Sequence, residues 1–244
     1  MNDPVTSRLS SPSVSSHLID QWTINVTQHH ILNSLGLERD NFEKQLRLPS
    51  LPEMIFDKNT ITVTCGDETT GMRSVHFCCL DALKEVDADN ITLEVCTQPI
   101  FIRIPKLPIA ADWKKSSWSV EPYANGLDME LLQRRDPILF FAETTLFEDE
   151  LGDNGVSLLN IKIRAMTSGF FLLQRFFLRV DGGLVRAFDT RIQWRKGDNY
   201  LIRDIRRTES SSWQPEFCSI NSSNAETACD KLLEHRSEKL VPLV

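Results

Sequence analysis

The chain has 244 residues, of which 41% are hydrophobic and 25% charged, and its formal net charge is −7. This composition is typical of a globular protein with enough apolar residues for a sizeable core, and the acidic balance argues against nucleic acid as the main partner. Because no run of eighteen apolar residues occurs, no transmembrane helix is predicted. The Ser-rich start lacks the apolar segment of a signal peptide.

Positive charge is concentrated in one segment. Residues 161–207 contain eleven Lys and Arg against four Asp, a local charge of +7, so the rest of the chain sums to −14. A basic segment of this kind could dock an acidic protein surface. A solvated face with alternating charges is equally compatible with the sequence.

The N-terminal half predicts short elements. Residues 1–18 are rich in Ser and Pro and are predicted to be disordered. Helices are expected where apolar residues recur at helical spacing, and strands where apolar and polar residues alternate. The predicted elements are strand Trp22–Val26, helix Leu37–Leu46, strands Glu53–Phe56, Thr60–Cys65 and Ser74–Cys79, helix Ala82–Val86 capped by Asp81, strands Ile91–Cys96 and Ile100–Ile104, and helix Leu127–Arg135.

The C-terminal half has a clearer strand pattern. Because short turns separate consecutive apolar or alternating runs, the segment from Pro137 to Arg207 predicts an antiparallel meander. Its predicted strands are Ile138–Phe147, Leu159–Ala165, Phe170–Val180, Leu184–Trp194 and Tyr200–Arg206. Ala225–His235 has helical periodicity and predicts a C-terminal helix.

The predicted fold class is therefore α+β, with antiparallel β-sheets and a few packed peripheral helices. Three parts are expected along the chain. A disordered N-terminal tail covers residues 1–18, a single α+β domain covers 19–207, and a Ser-rich linker with a C-terminal helix and tail covers 208–244.

The densest carboxylate cluster is Glu148, Asp149 and Glu150. A pair of carboxylates on facing elements could support acid–base or metal chemistry, as in a metal-assisted hydrolase. Consecutive carboxylates on one turn point in different directions, however. A solvated turn or a partner contact is therefore favoured over catalysis.

Other catalytic and metal-binding patterns are missing from the sequence. The five His show no metal-ligand spacing, and His30 and His76 are interpreted as structural residues on strand faces. There is no Gly-x-Ser-x-Gly elbow and no Gly-rich phosphate loop. The six cysteines lack Cys-x-x-Cys spacing and are interpreted as reduced thiols of a cytosolic or nuclear protein. No enzymatic activity, metal or cofactor is predicted.

One strand carries charges that could meet a partner. Alternation places Asp189 and Arg191 on the same face, with Cα atoms roughly 6–7 Å apart, and Arg186 on the opposite face. On an exposed face, Asp189 and Arg191 can pair with each other or offer a donor and an acceptor to a partner. Both options remain open, although Arg is enriched at interface hot spots.

Motifs spread over most of the chain resemble one family. They include Leu48-Pro-Ser-Leu-Pro-Glu-Met-Ile-Phe56, Leu146-Phe-Glu-Asp-Glu-Leu151, Lys162-Ile-Arg-x-Met166, Phe170-Phe-Leu-Leu173, Arg175-Phe-Phe-Leu-Arg179 and Asp189-Thr-Arg191. On these motifs the chain resembles the TIPRL family, regulators of TOR signalling that bind the catalytic subunits of type 2A-class protein phosphatases.

The resemblance implies a non-catalytic regulator that binds the phosphatase catalytic subunit and restrains its activity. The chain is further predicted to lie in the cytoplasm or nucleus and to be a monomer when free. Asp81 and Asp189 match the family's contact residues, Leu127 stands where a branched apolar residue is common, and Ala187 stands where a Met is usual. The predicted partner-binding residues are Asp81, Leu127, Asp128, Arg186, Ala187, Asp189 and Arg191.

Overall fold

Alternating and continuous apolar runs form the strands that dominate this computed structural model. The structure describes residues 12–46, 51–66, 73–84, 86–87, 92–95, 98–101, 104–105, 118–133, 136–181, 184–210 and 231–242. The N-terminal strands are β1 Ser13–Ile19, β2 Trp22–Gln28, β3 Met54–Ile55, β4 Thr60–Cys65, β5 Arg73–Cys78, β6 Val86–Asp87, β7 Thr92–Val95, β8 Gln98–Phe101 and β9 Ile104–Pro105. The later strands are β10 Trp118–Pro122, β11 Ile138–Asp149, β12 Gly155–Met166, β13 Gly169–Val180, β14 Leu184–Arg195, β15 Leu201–Ser210 and β16 Lys231–Pro242. The helices are α1 Leu37–Leu46, α2 Cys79–Lys84 and α3 Met129–Gln133.

The larger sheet has eight strands in the order β10-β16-β15-β14-β13-β12-β11-β3. Neighbours are antiparallel throughout, and β11 to β15 lie side by side in chain order. The turn before β13 requires glycine, because a Cβ on Gly169 would lie 2.0 Å from the carbonyl oxygen of Trp194. The predicted meander and the α+β class with dominant antiparallel sheets are thereby confirmed.

A four-stranded sheet in the order β1-β2-β4-β5 packs on one face of the larger sheet. Trp22 of β2 joins the layers, with ring centroids 5.3 Å from Phe170 and 6.0 Å from Trp194. Helix α1 has the predicted bounds and adds Phe42 and Leu46 to the same core. The main core therefore lies between the two sheets.

Two further pairs of strands, β6 with β9 and β7 with β8, form small two-stranded sheets. Helix α2 begins at Cys79, so Asp81 lies in its first turn and does not cap it as predicted. Helix α3 begins at Met129 and not at the predicted Leu127, and residues 134–135 of the predicted helix lie outside the described residues. Within the described ranges, none of the helices is long and apolar enough to cross a membrane.

The N-terminal segment differs from its prediction. Residues 13–18, predicted to be disordered, belong to β1, which forms a hairpin with β2 through Asp20 at a φ of 54°. His17 of β1 stacks on Phe140 of the larger sheet at 5.3 Å. Pairing with a buried strand and this ring contact order a Ser-rich segment that composition alone marks as disordered. Residues 1–11 lie outside the described residues.

The C-terminal helix prediction is wrong over residues 231–235. These residues begin β16, which pairs with β15 on one side and β10 on the other. Strand pairing on both sides outweighs the helical spacing of the apolar residues, because context decides the conformation of short segments. Residues 225–230 lie outside the described residues. The larger sheet thus extends past residue 207 and includes 231–242.

Candidate protein-binding surface

The two faces of the larger sheet carry different side chains. The core face, which meets the four-stranded sheet, is mostly apolar. Alternation sends the intervening residues to the opposite side, which we call the polar face. Its ionisable residues on β12 to β16 include Lys162, Arg164, Arg175, Arg179, Asp189, Arg191, Arg195, Asp204, Arg206, His235 and Lys239.

Asp189 lies at the centre of the polar face and is buried. Arg175 on β13 donates two hydrogen bonds to it, from Nε at 2.7 Å and from a terminal nitrogen at 2.6 Å. Arg191 donates a third at 3.0 Å. The pairing of Asp189 with Arg191 therefore occurs, but the expectation of an exposed face is wrong at Asp189. Its carboxylate is already occupied by two guanidinium groups.

A second buried carboxylate, Asp204 on β15, lies beside β16. It contacts His235 Nε2 at 2.9 Å and accepts a hydrogen bond from the Ser237 hydroxyl at 2.6 Å. Since β16 supplies both contacts, the C-terminal strand completes this half of the polar face.

A short segment, Tyr123–Gln133, crosses part of the polar face, and we call it the covering segment. The amide of Tyr123 donates to the carbonyl of Ser237 at 2.9 Å. The amide of Asp128 donates to Oε1 of Gln193 at 2.9 Å, and the carboxylate of Asp128 accepts from the Leu131 amide at 2.8 Å. Asp128 therefore anchors the segment to β14 and caps helix α3.

Two open cavities lie where the covering segment meets the sheet. The larger, of about 420 Å³, is lined by Leu127, Met129 and Leu232 and by the charged residues Arg191, Asp204, Arg206 and His235, among others. The smaller, of about 210 Å³, is lined by Leu127, Asp128, Gln193 and Arg195, among others. Leu127 borders both. The larger cavity thus combines apolar and guanidinium groups in one concave surface.

The smaller cavity has a charged rim. Arg195 donates to both carboxylate oxygens of Asp198, at 3.1 Å and 3.3 Å, and this contact raises the pKa of the Arg195 guanidinium. Burial, followed by the charge of Asp198, raises the pKa of the nearby Tyr200 phenol. The rim therefore carries the Arg195 cation paired with the Asp198 carboxylate.

The predicted site residues are divided between three places. Leu127, Asp128 and Arg191 line the cavities of the polar face. Ala187 and Asp189 lie on the same face and are buried. Arg186 lies on the opposite face, as predicted, where it pairs with Glu209. Asp81 is in α2, beside β5 of the four-stranded sheet, and so on another layer of the molecule.

Sequence reasoning did not identify Met129, Leu232, Arg206 and His235 as neighbours of Leu127 and Arg191. Leu232 and His235 fell within the incorrectly predicted helix. Arg206 lies on a strand that was predicted, yet its cross-strand partners, Asp189 and His235, depend on register. Regular alternation on adjacent strands is the signal that could have placed Arg206 beside Asp189.

Asp81 belongs to a separate cluster that the sequence did not predict. The Cys78 thiol donates to Oδ2 of Asp81 at 3.3 Å, and potential ligand atoms of His76, Cys78 and Asp81 all lie within 4.8 Å of one another. Burial, with a contribution from Asp81, raises the pKa of the Cys78 thiol to about 11. The thiol therefore keeps its proton near neutral pH.

The carboxylate cluster Glu148–Glu150 lies at the C-terminal end of β11, where Glu148 and Asp149 are half-buried. Asp149 accepts a hydrogen bond from the Leu151 amide at 3.2 Å, and Glu150 is exposed. In the described part of the chain, these carboxylates are not among the side chains grouped closely enough to share a metal ion.

Comparison with known proteins gives consistent results. A family model described as the TIP41-like family matches residues 111–214. A TIP41-like protein of Dictyostelium discoideum is 36% identical over 220 residues, which cover 79% of this chain and 78% of that protein. The human TIP41-like protein is 35% identical over 208 residues, covering 78% and 74% respectively.

A yeast relative has a functional name. The Saccharomyces cerevisiae protein named type 2A phosphatase activator TIP41 is 35% identical over 231 residues, which cover 82% of this chain and 63% of that protein. These relatives confirm the resemblance inferred from the motifs. The chain belongs to the TIP41-like family.

Proposed function

We propose that this chain is a non-catalytic regulator that binds the catalytic subunit of a type 2A-class protein phosphatase. The observation that carries the proposal is the similarity, over 82% of the chain, to the yeast protein named type 2A phosphatase activator TIP41. The corresponding Schizosaccharomyces pombe protein has the same functional name and is 29% identical over 219 residues.

The polar face around the larger cavity is the contact surface in this proposal. Met129 and Leu232, 53% and 54% exposed, present apolar side chains beside the guanidinium groups of Arg191 and Arg206. Arg together with apolar anchors in a concave surface is typical of interface hot spots. A stable complex buries roughly 1,200–2,000 Å² in total, so the contact extends from the cavity onto the surrounding strands and the covering segment.

Asp81 is a second contact in this proposal. Because it lies on the layer of the four-stranded sheet, and packed sheets are roughly 10 Å apart, a partner that reaches both Asp81 and the polar face must pass around an edge of the molecule. In this proposal Asp189 contributes through Arg191, because its own carboxylate is buried and accepts a hydrogen bond from Arg191 at the rim of the larger cavity.

The test is co-elution of the purified full chain with a purified type 2A-class catalytic subunit, with the dissociation constant measured by titration. Met129→Asp places a charge in the apolar part of the contact and is expected to weaken binding at least tenfold. Leu37→Asp is the matched control, because both residues are exposed and each is the first residue of a helix. Equal affinity of the two variants contradicts the assigned surface, and no binding by the parent chain contradicts the function.

The effect on activity is measured in the same samples. We propose that the chain restrains the activity of the catalytic subunit, as the family resemblance implies. The rate at which the catalytic subunit dephosphorylates a phosphopeptide should therefore fall as the chain is added. A rise contradicts restraint and would match the functional names of the two yeast relatives, while leaving the binding proposal in place. Asp81→Leu is expected to reduce the effect independently of Met129→Asp, because Asp81 lies beside β5 of the four-stranded sheet and Met129 lies on the polar face.

We also propose that the free chain is a monomer in a reducing compartment of the cell, the cytoplasm or nucleus. Among the residues that the structure describes, Cys65, Cys78 and Cys79 form no disulfide, which supports a reducing environment. Size-exclusion chromatography with light scattering tests the monomer, and fractionation of cells tests the compartment. The predicted place in TOR signalling remains a prediction.

A further inference from the structure

The outer face of the four-stranded sheet carries a cluster of three different metal-ligand types. Strand β5 turns Val75 and Phe77 into the core, so alternation places His76 and Cys78 together on the opposite side. The chain then enters α2, whose first turn brings Asp81 back to Cys78, with 3.3 Å between Oδ2 and Sγ. All three side chains are half-buried, so they are fixed by the fold and accessible to a small ion.

The arrangement has the features of a site for a soft divalent cation. One imidazole nitrogen, one sulfur and one carboxylate oxygen lie within 4.8 Å of one another. A zinc ion lies roughly 2.0–2.3 Å from such ligands, so it needs them roughly 3–4 Å apart, a distance that small rotations of these side chains can reach. Sulfur and imidazole together favour zinc-class ions over magnesium or calcium.

The surroundings of the cluster support the same interpretation. Thr62 of β4 holds the His76 ring through a contact of 2.9 Å between Oγ1 and Nδ1. Such partners orient ligating histidines in metal sites. Cys79 points into the core and is fully buried, so it does not compete with Cys78 for the ion. Three protein ligands leave a fourth position for water or for a group of a partner.

We propose that His76, Cys78 and Asp81 bind one divalent transition-metal ion of the zinc class. Cys78 binds as the thiolate and releases its proton to solvent. The resulting thiolate and the Asp81 carboxylate carry two negative charges, which the ion neutralises. The proposal does not depend on the phosphatase-binding function, although the two share Asp81.

Cobalt(II) is the probe for the test, because a cobalt–thiolate bond gives a charge-transfer absorption band in the near ultraviolet. The full chain, purified in the presence of a reductant that does not bind metals, is titrated with cobalt chloride. One equivalent should give the thiolate band, and zinc chloride should remove it by displacing cobalt. Cys78→Ser should lose the band, and His76→Gln should weaken cobalt binding at least tenfold.

Cys65→Ser is the matched control, because Cys65 is a half-buried cysteine of the same sheet that lies outside the cluster. It should keep the band. Absence of the band in the parent chain, or its persistence in Cys78→Ser, overturns the proposal. Circular dichroism checks that the variants fold. If Cys78→Ser fails to fold, Asp81→Asn takes its place, because Asn has nearly the same shape as Asp, and it should weaken cobalt binding.

The two proposals can fail separately. Met129→Asp changes the polar face alone, so phosphatase binding by this variant tests the phosphatase proposal, whereas Cys78→Ser, which alters the partner of Asp81, is used only for the cobalt measurement. Cobalt binding by Met129→Asp should equal that of the parent chain, because Met129 lies on the polar face.

Discussion

The two faces of the larger sheet are built from the same strands but are stabilised in different ways. On the core face, β13 contributes Phe170, Leu172 and Phe176, which pack against apolar residues of both sheets. On the polar face, the same strand contributes Arg175, which is buried against Asp189. Burying apolar area is favourable without partners, whereas burying a charge is tolerated only when the charge is paired and hydrogen-bonded.

The comparison teaches that burial on the polar face depends on specific partners. Each buried charge needs a neighbour from another strand, so the loss of one side chain leaves the other uncompensated. The core face loses contact area and gains a cavity when a side chain is shortened. Three substitutions separate these mechanisms.

The largest effect is expected on the core face. Phe176 is fully buried and contacts Phe147 and Phe188 at ring distances of 6.4 Å and 5.9 Å. Phe176→Ala should lower the free energy of unfolding by about 3–5 kcal/mol through lost burial and a new cavity. Chemical denaturation measures it. Phe141→Ala, at a position 57% exposed on β11, is the control and should change stability by roughly 0.5 kcal/mol or less.

A somewhat smaller loss is expected on the polar face. Asp189→Asn keeps the shape but removes the charge that compensates Arg175, so we expect about 3 kcal/mol of destabilisation, near the low end for a broken buried pair, because Asn still accepts a hydrogen bond. Urea denaturation measures it. The double variant Arg175→Met with Asp189→Leu should be more stable than Asp189→Asn. If Asp189→Asn is as stable as the parent chain, the carboxylate of Asp189 is not a buried group that compensates Arg175.

The smallest effect is expected at the margin of the polar face. Lys162 on β12 pairs with Glu143 on β11 at 2.9 Å, and both side chains are partly exposed. Lys162→Ala should cost about 0.2–1 kcal/mol, because exposed ion pairs are weak. The difference from the parent should shrink in 1 M salt, where charges are screened. If Lys162→Ala loses as much stability as Asp189→Asn, and the loss does not depend on salt, then Lys162 and Glu143 are not a solvent-exposed ion pair.

Much of the fold could be predicted from the sequence because its signals are local. Helix α1 and strand β4 have the predicted bounds, since periodicity and turn residues define both ends. Strand β16 could not be recognised in this way. The spacing of Leu232 and Leu233 is compatible with a helix, and what makes it a strand is pairing with β10 and β15.

The candidate site was predictable only in part. Alternation placed Asp189 and Arg191 on one face and Arg186 on the other, which the structure confirms. Alternation does not reveal what covers a face, however. The burial of Asp189 depends on Arg175, fourteen residues away. The metal-ligand cluster was missed because Asp81 reaches Cys78 only through the turn from β5 into α2.

The position of β16 between β10 and β15 has a consequence for the order of folding. Among the described strands, β10 joins the larger sheet through β16 alone, and the two are separated by more than a hundred residues, as in the contact between Ser119 and Val241. Closing so long a loop costs more conformational entropy than closing the short turns between the hairpins of the meander. The meander can therefore form first, while the covering segment, which follows β10 and is fastened to Ser237, docks last. The larger cavity is then among the last features to form and, by the same reasoning, among the first to open when the chain fluctuates.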